Sequence, residues 1–162
     1  VACTFWWTYF AFVPAAVERL LTLAHGAERG DVARSVFTFG HFPIVFGLVL
    51  YAVAAKHAVA HPTEPLGSAD LAVLASAVAF FVGGLLRLQW RAVHHLAPER
   101  VIAIAVVAVI CATVAGGIPG GVLLAFVALI IGTMQAVTLR RLDRRAAVRA
   151  ARDGLRPEAL ED

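Results

Sequence analysis

The side chain in this sequence that is best placed for chemistry is the imidazole of His41, which lies within a long apolar segment. Two residues later, Pro43 removes a backbone donor, and its ring disturbs the carbonyl group of Phe39, four residues back. Thr38 lies three residues before His41, a spacing that shares one helix face. If the segment spans a membrane, an ionisable group there is costly and indicates function by default. His41, Pro43 and Thr38 therefore form a candidate transport or hinge site.

An imidazole beside a loosened helix could relay a proton, bind a ligand or mark a hinge. The structural alternative is a neutral His41 that hydrogen-bonds to a neighbouring helix. Proton-driven carriers commonly place a carboxylate at membrane depth, yet all 11 acidic residues lie in predicted loops, helix ends or the tail. An acid for a relay would have to come from another subunit or from chain outside this sequence.

A second pair of histidines, His57 and His61, has the i, i+4 spacing that can place two imidazoles on one metal. Position 58 is an alanine, so the glutamate of a zinc-protease motif is absent, and nothing fixes Glu64 or Asp70 as a third ligand. We therefore expect interfacial histidines, no metal and no cofactor. The sequence also lacks a phosphate loop and a nucleophile elbow, so we do not expect an enzyme.

The composition defines the elements that must position these residues. Of 162 residues, 60% are hydrophobic and 15% charged, whereas soluble domains average about 45–50% apolar and about 25% charged residues. The apolar blocks are continuous, which favours membrane-spanning helices over a barrel. We predict an all-α, polytopic transmembrane bundle of about five helices within residues 1–139. The helices cover about 1–17, 35–60, 71–90, 101–115 and 121–139.

The start of the chain carries a further expectation. It begins at Val1 directly in an apolar segment, without a basic leader. We therefore expect the sequence to be the C-terminal part of a longer protein, and its helices to be part of a larger bundle.

The arginines predict which way the bundle is oriented. All 13 fall in three places: the first connection, between the first and second predicted helices; the third connection, between the third and fourth; and the tail. These three places lie on one side if five helices alternate. Positive charge favours cytoplasmic loops, so we place the C-terminus in the cytoplasm and the protein in the inner (plasma) membrane. Residues 140–162 form an arginine-rich tail, and we expect its first arginines to contact anionic lipid: Arg140, Arg141, Arg144 and Arg145. This juxtamembrane position explains the charge without nucleic acid.

Small residues recur every four positions on the last three predicted helices, which favours close approach of membrane helices. The rows contain Ala75, Ala79 and Gly83; Ala108, Ala112 and Gly116; and Ala128, Gly132 and Ala136. Such rows could pack within one chain or between copies, so a homo-oligomer is compatible with the sequence.

Several short stretches resemble the low-temperature-requirement protein A (LtrA) family of bacterial membrane proteins, in the C-terminal part of its chains. They are Trp6-Trp7-Thr8-Tyr9-Phe10, His41-Phe42-Pro43, Ala60-His61-Pro62 and Glu64-Pro65-Leu66. The resemblance is best over about residues 5–70, and beyond that it rests on helix pattern and composition.

The chain departs from the family pattern at two positions. Ala11 stands where the family usually carries an aspartate after its aromatic motif, and Phe39 stands where it tends to carry a tyrosine. If that aspartate pairs with the histidine in relatives, this chain lacks the pair. The resemblance implies little mechanism, because the biochemical activity of the family is not established and its name refers to growth in the cold.

Our leading functional hypothesis is a transporter or channel-like protein with His41 and Pro43 near the path, and the sequence identifies no substrate. The alternative is a non-transporting structural or regulatory scaffold linked to low-temperature growth. The missing buried carboxylate and the small-residue rows favour that alternative. An intramembrane enzyme ranks third, since it would need paired carboxylates or histidines that face His41 from elsewhere.

Overall fold

The computed structural model describes residues 2–93, 98–113 and 117–154, and every regular element in these ranges is helical. The elements, in chain order, are α1 (Ala2–Leu23), α2 (Ala27–Arg34), a π-helix (Ser35–Gly40), α3 (His41–Ala60), α4 (Ser68–Val93), α5 (Pro98–Thr113) and α6 (Gly120–Gly154). The prediction of an all-α bundle is confirmed.

Three helical stretches of the described chain are long and apolar enough to cross a membrane, judged by length and composition. They are Thr38–Ala60, Ser68–Arg91 and Gly120–Arg144. The 16 residues of α5 rise only about 24 Å, less than the roughly 30 Å of hydrocarbon in a bilayer. That α1 and α5 also cross the membrane stays a prediction.

The first connection is more helical than its polar sequence suggested. Instead of ending near Val17, α1 continues through Pro14 to Leu23. The chain then turns at Gly26, whose φ of 57° is a left-handed conformation that glycine adopts without strain. The short helix α2 follows and leads directly into the π-helix.

The helix α4 lies at the centre of the bundle and packs against α1, α3 and α5. Its contact with α3 is unusually close at two glycines. A Cβ atom at Gly47 would lie 2.6 Å from the backbone nitrogen of Phe81 and 2.7 Å from the carbonyl oxygen of Ala77. A Cβ at Gly84 would lie 2.6 Å from Cγ1 of Ile44. The two helices can approach this closely only because these side chains are absent.

The predicted row of small residues on α4 lies beside this contact. Ala75, Ala79 and Gly83 are half-buried, and a Cβ at Gly83 would meet nothing within 4 Å. Gly84, one residue further, makes the close approach instead. On α6, a Cβ at Gly132 would be 3.7 Å from Thr4 of α1, an ordinary van der Waals distance. Gly116 of the α5 row lies outside the described residues.

Polar side chains connect the helices at one end of the bundle, which we call the arginine end. Arg91 of α4 donates a hydrogen bond to the hydroxyl of Ser35. Glu99 of α5 accepts hydrogen bonds from Arg141 at 2.7 Å and from Thr138 at 3.1 Å, both on α6. Arginines from the first connection, the third connection and α6 thus lie at the same end.

Arg100 is fully buried at the arginine end, where its Nη1 donates to the carbonyl oxygen of Leu85 at 3.4 Å. Burial lowers the pKa of its guanidinium to about 10, and the neighbouring Glu99 carboxylate opposes that shift. The side chain therefore keeps its charge at neutral pH.

The opposite end of the bundle is connected mainly by backbone groups. Gly120 and Gly121 at the start of α6 donate to the carbonyl oxygens of Glu64 at 2.8 Å and Pro62 at 3.1 Å. Nδ1 of His57 lies 2.6 Å from Oδ1 of Asp70, which connects the end of α3 to the start of α4. The loop between α3 and α4 is thereby fixed on the start of α6.

We predict that Gly47→Ala destabilises the protein, because the new methyl group collides with the α4 backbone. The expected loss of unfolding free energy is about 1–3 kcal/mol, and the measurement is the thermal midpoint of purified protein in detergent. Gly83→Ala is the matched control, since it gives a similar gain in helix propensity in open space. Equal midpoints for the two variants would contradict the close α3–α4 contact.

Candidate functional site

A groove lined by aromatic side chains separates α1 from α3, and α4 forms its floor. The ring of Phe5 on α1 is buried, 4.4 Å from the ring of Phe81 on α4 and 5.1 Å from the ring of Tyr51 on α3, as centroid distances. Both contacts are edge-to-face, the arrangement that aromatic quadrupoles favour. Since α4 supports both helices, it sets the width of the groove.

A hydrogen bond crosses this groove, between Oη of Tyr9 and Nε2 of His41 at 2.6 Å. The other ring nitrogen of His41, Nδ1, lies 3.0 Å from the carbonyl oxygen of Val36. A carbonyl only accepts, so Nδ1 carries a proton and donates it. In the neutral imidazole, Nε2 then accepts the phenolic O–H of Tyr9. The ring is thus held at both nitrogens by two different helical segments.

The π-helix that precedes α3 explains why His41 points to α1. Pro43 is the third residue of α3 and has no backbone N–H, so the carbonyl of Phe39 loses its usual α-helical donor. The wide π turn ends just before His41 and brings the Val36 carbonyl to its ring, five residues away in sequence. Single π turns occur frequently at functional sites.

Two clefts meet at the Tyr9–His41 pair. The first extends toward the start of α1, has a volume of about 460 Å³ and is lined by aromatic and aliphatic side chains that include Phe5, Trp6, Phe10, Leu48 and Tyr51. The second extends toward the arginine end, has a volume of about 450 Å³ and is lined by Val13, Pro14, Val17, Glu18, Leu21 and Thr22. Both clefts also include Tyr9 and His41 in their lining.

The polar groups of the groove are few and spaced along it. The Tyr9–His41 bond lies where the clefts join, and Glu18 and Thr22 lie toward the arginine end, where both are exposed. The sequence placed Glu18 just after the first helix, but α1 continues to Leu23, so its carboxylate lies within the last turns of that helix. It is not beside the imidazole. Chemically, the pair can exchange a hydrogen-bond partner or a proton.

The structure brings His41 together with Tyr9, not with Thr38. Thr38 is exposed and lines neither cleft; its carbonyl oxygen accepts the backbone N–H of His41. The expected shared face assumed α-helical spacing, and the π turn changes the angle between these positions. Pro43 contributes through the backbone and lines a different groove between α3 and α4.

Tyr9 had been singled out only as part of the aromatic motif near the start of the chain. A sequence signal for its role did exist: a tyrosine hydroxyl within an apolar helix needs a hydrogen-bond partner. The identity of that partner, 32 residues away, depends on how the helices pack. Ala11 and Phe39, the two departures from the family pattern, are both exposed and belong to neither cleft.

The other residues of the family motifs lie in two places. Trp6 and Phe10 are exposed and line the first cleft, and Trp7 is exposed on the same helix. His61 and Pro62 lie in the loop after α3, at the end opposite the arginines, and Nδ1 of His61 is 3.7 Å from Oε1 of Glu64. The described residues contain no cluster of three or more histidine, cysteine or acidic side chains that could hold a metal.

The arginines of the predicted lipid-facing tail differ in their surroundings. Arg141 forms an ion pair with Glu99, whose side chain is only 11% exposed. Arg140 and Arg144 are exposed, and the side chain of Arg145 lies outside what the structure describes. Arg141 therefore connects α5 to α6, and the other two are open to the surroundings.

Comparison with known proteins gives one family. A family model described as "Bacterial low temperature requirement A protein (LtrA)" matches residues 1–138. The chain has no match among curated proteins and none among solved structures. The matched range contains the whole groove and ends within α6, just before the basic segment.

We predict that Tyr9→Phe lowers the unfolding free energy by about 1 kcal/mol, the typical contribution of one such hydrogen bond. The same change should shift the ring ¹⁵N resonances of His41 in selectively labelled protein, because Nε2 loses the phenolic donor. Tyr51→Phe is the matched control, since Tyr51 lines the same cleft but packs on Phe5. An unchanged His41 resonance in Tyr9→Phe would show that the bond does not form.

Proposed function

We propose that this chain, which belongs to the bacterial low temperature requirement A (LtrA) family, is part of a transporter or channel-like membrane protein whose path follows the groove between α1 and α3. Family membership supports an LtrA-type membrane protein. The transport activity is our inference from the groove. It leaves the substrate to experiment.

The observation that carries this proposal is the Tyr9–His41 hydrogen bond at the point where two clefts meet. A hydrogen bond between two helices can break at low cost if both groups find a new partner. A polar solute or a water molecule that arrives from either cleft would be such a partner. The pair is therefore suited to close the path at rest and to open when a solute replaces the bond.

The residues that line the path indicate which kind of solute could move along it. Most of the surface is aromatic or aliphatic, so a charged or polar solute would lose hydration without much compensation. Polar groups that could replace part of this hydration are present at the Tyr9–His41 pair and at Glu18 near the arginine end. Such spacing suits a small solute that moves between a few polar contacts.

The orientation of the protein follows from its arginines. We infer that the arginine end is cytoplasmic in the plasma (inner) membrane, since positive charge favours that side. The exposed Arg140 and Arg144 would then lie near anionic lipid headgroups. The second cleft would open to the cytoplasm and the first toward the outer face.

A non-transporting scaffold is the competing function, and the exposure of α3 favours it. Only 22% of its membrane-spanning window is buried within the chain, and Phe42 and Val49 are 67% and 54% exposed. A surface of this kind could hold a partner helix. The transport experiment separates the two functions.

We predict a solute-driven current from the whole protein in proteoliposomes, recorded across a panel of inorganic ions and small metabolites. His41→Ala should raise that current at least about tenfold, because it removes the bond that closes the path. His57→Ala is the matched control, a histidine on the same helix that pairs with Asp70 far from the clefts.

Two outcomes would contradict the transport proposal. One is a silent panel from protein shown to be folded and inserted, which would support the scaffold. The other is a current that responds equally to His41→Ala and His57→Ala, which would place the path elsewhere.

A further inference from the structure

We propose that an anionic phospholipid binds in a second groove, between the start of α3 and α4. We call it the Arg87 groove; it has a volume of about 380 Å³, and its lining includes Phe39, Phe42, Pro43, Ala79, Gly83 and Arg87. Neither of the clefts at Tyr9 and His41 shares these lining residues. The proposal is therefore independent of the transport function.

Two rings that line the Arg87 groove, Phe42 and Phe80, are supported by Phe46, which contacts both of them without lining the groove itself. Phe42 stacks on Phe46 at 5.9 Å, and Phe46 meets Phe80 edge-to-face at 5.0 Å, as centroid distances. These rings are 67%, 38% and 43% exposed, respectively. Rings held in this way form a stable apolar wall against which an acyl chain can lie.

The floor of the groove is a row of small residues on α4. Ala79, Gly83 and Arg87 are four residues apart and so share one helix face. The distance from Ala79 to Arg87 along the helix is about 12 Å, the length of several methylene groups. A Cβ at Gly83 would meet nothing within 4 Å, so the centre of the floor is open.

The charge at one end of the groove identifies the ligand class. Arg87 is exposed at the arginine end of α4, where a headgroup would lie if the acyl chain follows the floor. A guanidinium binds phosphate oxygens through two parallel hydrogen bonds. A lipid with net negative charge complements Arg87, whereas a zwitterionic headgroup brings its own cation. The combination of apolar trough and terminal arginine therefore fits an anionic phospholipid.

The test is native mass spectrometry of the whole protein, titrated in detergent with phosphatidylglycerol or with phosphatidylcholine. Arg87→Gln should weaken phosphatidylglycerol binding about fivefold, the effect of one basic residue near an anionic surface. Gly83→Leu should weaken it similarly by filling the floor, and phosphatidylcholine binding should stay weak throughout. Arg19→Gln is the matched control, because it removes one exposed charge on α1, outside both the groove and the basic tail.

Either of two results would overturn the proposal. If Arg19→Gln weakens binding as much as Arg87→Gln, the lipid responds to the arginine end as a whole and not to the groove. If Gly83→Leu keeps its thermal midpoint and binds phosphatidylglycerol like the wild type, the acyl chain does not lie on the floor. Should Gly83→Leu fail to fold, the comparison of Arg87→Gln with Arg19→Gln still decides between the groove and diffuse attraction.

Discussion

The close approach of α3 to α4 is the constraint on which the rest of this bundle depends. Gly47 and Gly84 have no side chain that would separate the helices. Gly47 of α3 therefore lies directly against the backbone of α4, and Gly84 of α4 lies directly against Ile44 of α3. This contact fixes both the depth and the rotation of α3. Since Phe5 of α1 also packs on α4 through Phe81, the central helix determines how far α1 lies from α3. The groove and the hydrogen bond that crosses it are consequences of that distance.

A local irregularity completes the arrangement. An unbroken α-helix through residues 35–43 would have left the Phe39 carbonyl without a donor at Pro43 and would have directed His41 differently. The π turn accommodates the proline and lets the Val36 carbonyl hold Nδ1 of the imidazole. The helix is therefore irregular just before Pro43, and the imidazole of His41 is held in one orientation. Such local cost is commonly accepted where a side chain must point in one direction.

Much of the fold could be predicted from the sequence, because long apolar blocks and clustered arginines reflect the membrane itself. The all-helical bundle followed from the length and continuity of the apolar blocks. The pairing of Tyr9 with His41 could not be predicted, since the two are 32 residues apart and meet only once α4 has positioned both helices. It could not be predicted that Gly84, and not Gly83, contacts α3. Neighbouring residues on a helix point about 100° apart, so the contact depends on how α4 is rotated. The ion pair of Arg141 with Glu99 could not be predicted either, because the two residues are 42 positions apart in the sequence.

The last helix, α6, is longer than a bilayer is thick, and this connects two distant parts of the protein. From Gly120 to Gly154, α6 is one rod of 35 residues, about 52 Å long, so about 20 Å of it extends past a bilayer core of roughly 30 Å. The end of the rod carries the basic segment, and its beginning is attached to the loop after α3. Because the helix is continuous, the basic segment and the loop after α3 are connected by one unbroken series of backbone hydrogen bonds, and the Glu99–Arg141 ion pair attaches this rod to α5 between its two ends.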